Sequence, residues 1–412
     1  MIDFDDKYRK AESYFRHGDY KNLELYFAKT LTKTSNIKLW ELYLNYIRTV
    51  NKDSLASAYA YTIQKIWFHY DIYQILIDYI AILEDVEKIR EVYNVGLSNP
   101  IHNLGLFFKN YEQFEMSLNK ITAKSIINEK LPSYQNTFKL YQRLVPYLTN
   151  EFDSIDKIIE LETDERKQKI MEYFIEKYSY REDLYFNYAE YLLSKCDDEI
   201  DEENESIIAV KNSLSQGISV TNSVFLKCYY AFVFKDASIL DLKNESALIC
   251  YLNILSQKGE VELCQGIEEN FTENDNKINA LDYAAKLYYS LTYNKNKTLE
   301  IYKKGVPMIN DKMIEFYLSL YDLQTSRKIF EKYEISRESK QKLAFMEFCM
   351  GNLENLRKCF KKEEFYNEFK NLVTTSEEFV FDKLPNLEKS SAFQKLSSVE
   401  CINLLKKLKL NF

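Results

Sequence analysis

Residues 72–100, IYQILIDYIAILEDVEKIREVYNVGLSNP, read as two helices joined by a short turn. Tyr73, Leu76 and Tyr79 recur at every third position, with Ile77 and Ile80 beside them. That spacing draws one apolar face on a helix of 3.6 residues per turn. Glu84-Asp85 breaks the pattern, and Asp85 is of the type that caps the helix after it. In that second helix Ile89, Val92, Tyr93 and Leu97 share a face that includes Gly96, and Pro100 stops it. A lone hairpin of this size buries too little apolar surface to offset the ordering of its own chain. Neighbouring copies must cover it.

The copies are present. The first-helix pattern recurs at Trp40/Tyr43/Tyr46, Phe108/Tyr111/Phe114 and Tyr185/Tyr188/Tyr191, then at Leu226/Tyr229/Phe232 and Leu248/Tyr251/Ile254. It continues at Leu281/Ala284/Leu287, Ile314/Tyr317/Leu320 and Leu343/Met346/Cys349, with weaker copies at Tyr8/Ala11/Tyr14 and Ile155/Ile158/Leu161. Successive starts lie 73 − 40 = 33, 281 − 248 = 33 and 314 − 281 = 33 residues apart; 155 − 108 = 47 marks a stretched unit and 248 − 226 = 22 a clipped one. The second helix repeats as well: Val92-Tyr93-x-x-Gly96 matches Ile301-Tyr302-x-x-Gly305, with looser copies at Leu140-Tyr141 and Ile329-Phe330. The chain holds only 8 glycines. Gly96, Gly217 and Gly305 share one repeat position, where a mid-helix glycine implies close helix approach. Gly18, Gly259 and Gly351 suit the turns between paired helices, and Gly266 fits neither register. Trp40, Tyr43, Tyr73, Tyr93, Gly96, Tyr111, Tyr141, Tyr185, Tyr302, Gly305 and Phe330 are therefore the expected repeat core.

Trp40-x-x-Tyr43, Phe108-x-x-Tyr111-x-x-Phe114-Glu115, Ile301-Tyr302-x-x-Gly305 and Ile329-Phe330-Glu331-Lys332 resemble the two motifs of HAT (half-a-TPR) repeats, over residues 5–370 or so. The resemblance implies an all-α solenoid of about eleven TPR-like helical hairpins in two halves, 1–180 and 181–371, followed by a tail at 372–412. Within HAT proteins the chain resembles the suppressor-of-forked family, the large subunit of the cleavage stimulation factor. It splits after its fifth unit, as that family's repeats do. The resemblance implies a nuclear, non-enzymatic scaffold of mRNA 3′-end cleavage and polyadenylation that binds other protein subunits, self-associates through its C-terminal half and touches RNA weakly or indirectly. Splicing scaffolds of the crooked-neck type have more uniform repeats and more Trp than the 2 here. A direct RNA-binding solenoid is the other alternative. The family continues into a Pro-rich segment that recruits an RNA-binding subunit. Only Pro385 lies beyond the repeats here, and the resemblance does not extend to that segment.

A net charge of −8 opposes broad nonspecific nucleic-acid binding. Lys295, Lys297, Lys303 and Lys304 cluster with Tyr293 and Tyr302, but Tyr302 occupies a packing position, so the cluster reads as repeat surface. The 7 cysteines contain no C-x-x-C and read as small apolar fillers of a reducing compartment. His17, His69 and His102 fall in different units without metal-ligand spacing. No catalytic, cofactor-binding or metal constellation is expected, and no run of apolar residues is long enough to span a membrane.

The acidic run 197–205 reads as a solvated loop. Residues 383–412 carry six lysines against two acids and end in a candidate amphipathic helix, 393–408. In the C-terminal half aromatics occur as adjacent pairs, and neighbours on a helix lie about 100° apart and cannot share one groove. Tyr283, Tyr288, Tyr289, Tyr293, Phe316, Tyr317, Tyr321, Phe345 and Phe348 are accordingly candidates for a homodimer interface.

Overall fold

The structure, a computed structural model, describes residues 4–196, 204–272 and 276–360. Residues 197–203 of the acidic run, and the whole tail from 372 with its lysines and candidate helix, lie outside the described residues. Among the described residues there is no β-strand. The chain forms two compact units, residues 1–226 and 227–412.

Among the described residues every helix but one pairs with a neighbour. The hairpins of the first unit are α1 (Phe4–Arg16) with α2 (Tyr20–Thr30), α3 (Ile37–Val50) with α4 (Leu55–Ile66), and α5 (Tyr73–Ile82) with α6 (Val86–Leu97). They continue with α7 (Leu104–Leu118) and α8 (Lys120–Leu148), α9 (Glu151–Leu161) and α10 (Asp164–Lys177), and α11 (Glu182–Leu193) and α12 (Glu205–Thr221). The unit boundary falls within α13 (Val224–Phe234). A single 3-10 turn follows α13, so the clipped repeat has one α-helix. The second unit then pairs α14 (Glu245–Lys258) with α15 (Glu260–Asn270), α16 (Ile278–Thr292) with α17 (Lys295–Lys303), α18 (Asn310–Ser319) with α19 (Leu323–Lys332), and α20 (Arg337–Cys349) with α21 (Leu353–Lys358). Ten hairpins and one lone helix thus account for the described residues, and the fold is an all-α solenoid. The stretched repeat owes its length to α8, 29 residues that run on through Pro132 rather than breaking there.

The caps follow the sequence. Asp85 Oδ1 accepts the Glu87 amide at 2.9 Å, and Asn36, Asn294 and Asp322 cap α3, α17 and α19 in the same way. Three intra-hairpin turns share one bonding pattern. The amides of Asp19, Asp322 and Asn352 donate to the carbonyls of Tyr14, Tyr317 and Glu347, five residues back, and close a Schellman motif. That motif needs a left-handed residue. Gly18 (φ 68°) and Gly351 (φ 75°) supply it in two of the turns, and Tyr321 (φ 56°) in the third.

Apolar packing runs continuously from Ala11 to Ile127 in the first unit and from Leu248 to Cys359 in the second. Trp40, Tyr111, Tyr185 and Tyr302 are almost wholly buried and Tyr93 nearly so, while Tyr43, Tyr73, Tyr141 and Phe330 are half-buried. The second-helix glycines lie where a side chain has no room. A Cβ on Gly96 would meet the Phe107 ring at 2.2 Å, one on Gly217 the Tyr185 ring at 2.7 Å, and one on Gly305 Leu281 at 2.7 Å. Gly266, which no sequence register claimed, belongs with them: its Cβ would meet Leu255 at 2.2 Å. Gly305 is not mid-helix, because α17 ends at Lys303 and the glycine sits in the turns that follow.

Replacing Gly96 or Gly217 by Leu should cost about 1–3 kcal/mol by overpacking. A Cβ on Gly105, inside α7, meets nothing closer than 3.8 Å. Gly105→Ala should therefore gain about 0.5–1 kcal/mol of helix propensity. Urea denaturation of the three variants checks both signs.

Candidate interaction surfaces

Two regions gather side chains that the repeat pattern alone does not require. The first is in unit 1, where α10 meets the linkers joining earlier hairpins. Arg166 donates from Nε to Glu162 Oε2 at 2.8 Å, from Nη2 to Oε1 at 3.2 Å, and from Nη1 to Asn99 Oδ1 at 2.8 Å. The Tyr70 hydroxyl donates to Glu162 Oε1 at 2.5 Å, and the guanidinium lies 5.3 Å from the Tyr70 ring centre. Glu162, Arg166, Asn99 and Tyr70 are all buried. Burial, and then the Glu162 carboxylate, push the Tyr70 phenol well above its ordinary range. Further along α10, Tyr173 packs edge-on against His69 at 5.0 Å and against Phe4 at 5.9 Å. Glu176 accepts from Lys7 Nζ at 2.6 Å, Thr34 Oγ1 at 2.5 Å and the Ser35 amide at 2.6 Å.

Sequence reasoning missed this group, although α10 carried a signal. Tyr173, Phe174 and Ile175 are three consecutive large apolar residues, which cannot all face one groove. All three are buried. The two histidines expected in separate units both approach Asp71, His69 at 3.9 Å and His102 at 3.5 Å. Among the described residues, however, no group of three or more His, Cys, Asp or Glu side chains is arranged to hold a metal ion. No described helix is long and apolar enough to cross a membrane.

The second region is the edge of unit 2 where α16 turns into α17 and α18 into α19. Tyr293 is 74% exposed and Tyr321 is 42% exposed, and both have left-handed backbones, φ 54° and 56°. Tyr289 is half-buried and packs edge-on between Tyr293 (5.7 Å) and Phe316 (5.4 Å). Tyr283 and Phe345 are also half-buried. Tyr288, Phe316, Tyr317 and Phe348 are buried inside the unit itself, and the adjacent pair Phe316-Tyr317 contacts the preceding hairpin at Tyr289, Tyr302 and Lys295. Hence only Tyr283, Tyr289, Tyr293, Tyr321 and Phe345 leave ring surface for another molecule.

The lysines nearby do not gather around an open ring. Lys295 pairs with Asp322 at 2.9 Å, and Lys304 donates to the Phe271 carbonyl at 3.2 Å. Lys297 lies 5.7 Å from the Tyr288 ring centre. Tyr302 is buried with its hydroxyl on Asp282 at 2.8 Å. The described cysteines are unbridged, and burial pushes the Cys250 and Cys349 thiols up to about 11, as expected of fillers.

Stacked two-helix hairpins, each covering the next, define this as a helical-repeat protein of the half-a-TPR kind. Residues 8–174 match the suppressor of forked protein (Suf) family, and the chain is a HAT-repeat protein resembling that family. Over 150 residues it is 33% identical to mRNA 3′-end-processing protein RNA14 of Yarrowia lipolytica, covering 29% of this chain and 18% of that protein. Over 151 residues it is 28% identical to Protein suppressor of forked of Drosophila melanogaster, covering 32% of this chain and 20% of that one. The matched stretches thus span a fifth or less of these relatives' lengths. The crystal structure of CstF-77 superposes with a TM-score of 0.74 at 24% identity, covering 87% of each chain, and shares the fold.

His69 offers a test of the unit 1 cluster. Burial pushes its imidazole down to about 4 against the opposing pull of Asp71, while Lys177, Arg166 and His102 also disfavour its charge. The Asp71 amide faces its Nδ1 at 3.4 Å, as suits the neutral ring. The folded chain therefore binds this proton more weakly than the unfolded chain does. The contribution is intact above pH about 6.5 and is lost as pH falls toward 4. Between pH 7 and 5 the chain should lose about 2 kcal/mol through this group. Urea titrations at the two pH values should show that much smaller a loss in His69→Phe.

Proposed function

We propose that this chain is a protein-binding scaffold of mRNA 3′-end processing, acting in the nucleus and dimerising through its second unit. The observation that carries the reading is the match of residues 8–174 to the suppressor of forked family on a chain that is hairpin repeat throughout its described residues. Relatives named for mRNA 3′-end processing support the process. A stack of hairpins offers long continuous edges for partners rather than a cleft for chemistry, so the chain is not an enzyme. Lys295 and Lys304 are held by partners within unit 2, and RNA contact is weak or indirect. The exposed tyrosines Tyr293 and Tyr321, with half-buried Tyr283, Tyr289 and Phe345, supply the kind of ring surface that dimer interfaces bury.

Affinity purification of the tagged full chain from its own cells should recover cleavage and polyadenylation subunits. Depletion should leave pre-mRNA uncleaved at its 3′ end. Recovery of spliceosomal proteins alone would defeat the assignment. For the dimer, light scattering at micromolar concentration should report twice the 49.1 kDa chain mass. Paired Tyr293→Gly and Tyr321→Gly should shift the chain toward monomer with little net loss of stability, because each relieves about 1 kcal/mol of left-handed strain, which offsets the lost Tyr289–Tyr293 ring contact. A wild-type chain that runs as a monomer would end the dimer reading and leave the scaffold reading standing.

A further inference from the structure

A stack of hairpins is held by contacts between neighbours, and its repeats can open in turn from an end. α10 departs from that rule. It belongs to the fifth hairpin of unit 1, yet its side chains reach the three linkers that join the first hairpin to the second, the second to the third, and the third to the fourth. Arg166 holds Asn99 in the third linker, Tyr173 packs on His69 in the second, and Glu176 holds Thr34 and Ser35 in the first. The order along α10 is the reverse of the order along the chain. The second and third linkers are also joined to each other, because the His102 amide donates to the Tyr70 carbonyl at 2.7 Å.

The lengths agree. Arg166 to Glu176 spans ten residues, about 15 Å of helix. Two steps between packed helices come to about 16–20 Å. The bonds also differ in kind from ordinary surface pairs, since Arg166, Glu162 and Asn99 are buried and Glu176 meets a linker amide directly. The rotation between successive repeats is set at their linkers. A stiff rod bonded to three of them holds all three at once.

We propose that α10 is a strap that ties the first four hairpins of unit 1 into one cooperative body and fixes the angle at which each follows the last. The hairpins then open together or not at all. Their outer edges keep a fixed spacing for whatever protein reads them.

Hydrogen exchange of the full chain, followed peptide by peptide, tests this. Glu176→Ala removes the bonds at the first linker while leaving the apolar side of α10 intact. Glu162→Gln with Arg166→Met removes the buried pair without stranding one charge. The control is Tyr188→Phe, which cuts the 2.9 Å bond from α11 to Glu172 of α10, a contact between sequential neighbours. Each strap variant should speed exchange by about tenfold or more through α1 to α8 together, and the control should affect only α10 to α12. Acceleration confined to α10 and the residues each variant touches would overturn the strap. So would a control that opens α1 to α8 equally, because that would report general destabilisation. If the double variant fails to fold, Glu176→Ala alone decides.

Discussion

The stack depends on how closely the second helix of each hairpin can lie against its neighbours. A helix pair that leaves a gap there forfeits dispersion contacts on both sides. The chain meets this constraint by omitting a side chain where a ring must enter. Phe107 and Tyr185 fill the spaces left at Gly96 and Gly217, and Leu255 and Leu281 those at Gly266 and Gly305. With few glycines to deploy, the chain concentrates them at contacts and turns. Elsewhere aromatic rings interlock, as Tyr93 does with Phe107, Tyr111 and Phe114 at 5.2–5.5 Å.

Polar side chains add direction to that packing. Arg90 on α6 holds buried Glu115 on α7 through two bonds of 2.9 Å. Arg327 on α19 holds buried Glu347 on α20 through bonds of 2.5 and 2.8 Å. In each case the second helix of one hairpin grips the first helix of the next. Removing one partner of a buried pair strands a charge, at a cost of about 3–5 kcal/mol. Apolar faces can slide, whereas these pairs fix the register of one repeat on another. The Tyr302–Asp282 bond does the same within a hairpin.

What could be read in the sequence was whatever repeats. The 33-residue period, the capping residues, the clipped unit at α13 and the glycine position all follow from local rules. Each is a short-range pattern written many times. The Glu162–Arg166 group was not legible because its partners, Tyr70 and Asn99, lie 92 and 67 residues away and occur once. Gly266 escaped although Leu263 stands three residues before it, as Leu214 stands before Gly217. Adjacent aromatics in unit 2 correctly signalled more than one packed face. Phe316 spends that second face on Tyr289 and Tyr302 of the preceding hairpin, where Tyr317 also bonds the Lys295 carbonyl, and Tyr288 reaches Glu260 in the hairpin before its own. Sequence cannot separate a neighbouring repeat from a partner molecule, since both present the same apolar groove.

The buried pairs also change how the composition of this chain should be read. It carries 10 arginines among its 55 basic residues, so lysine is the ordinary cation here. Arg90, Arg166 and Arg327 are among those few, and each grips a buried carboxylate with two nitrogens. A lysine at any of these positions keeps the charge but offers a single nitrogen in place of the two-pronged grip. The exchange that a substitution table scores as mildest is therefore among the more damaging ones at these three sites.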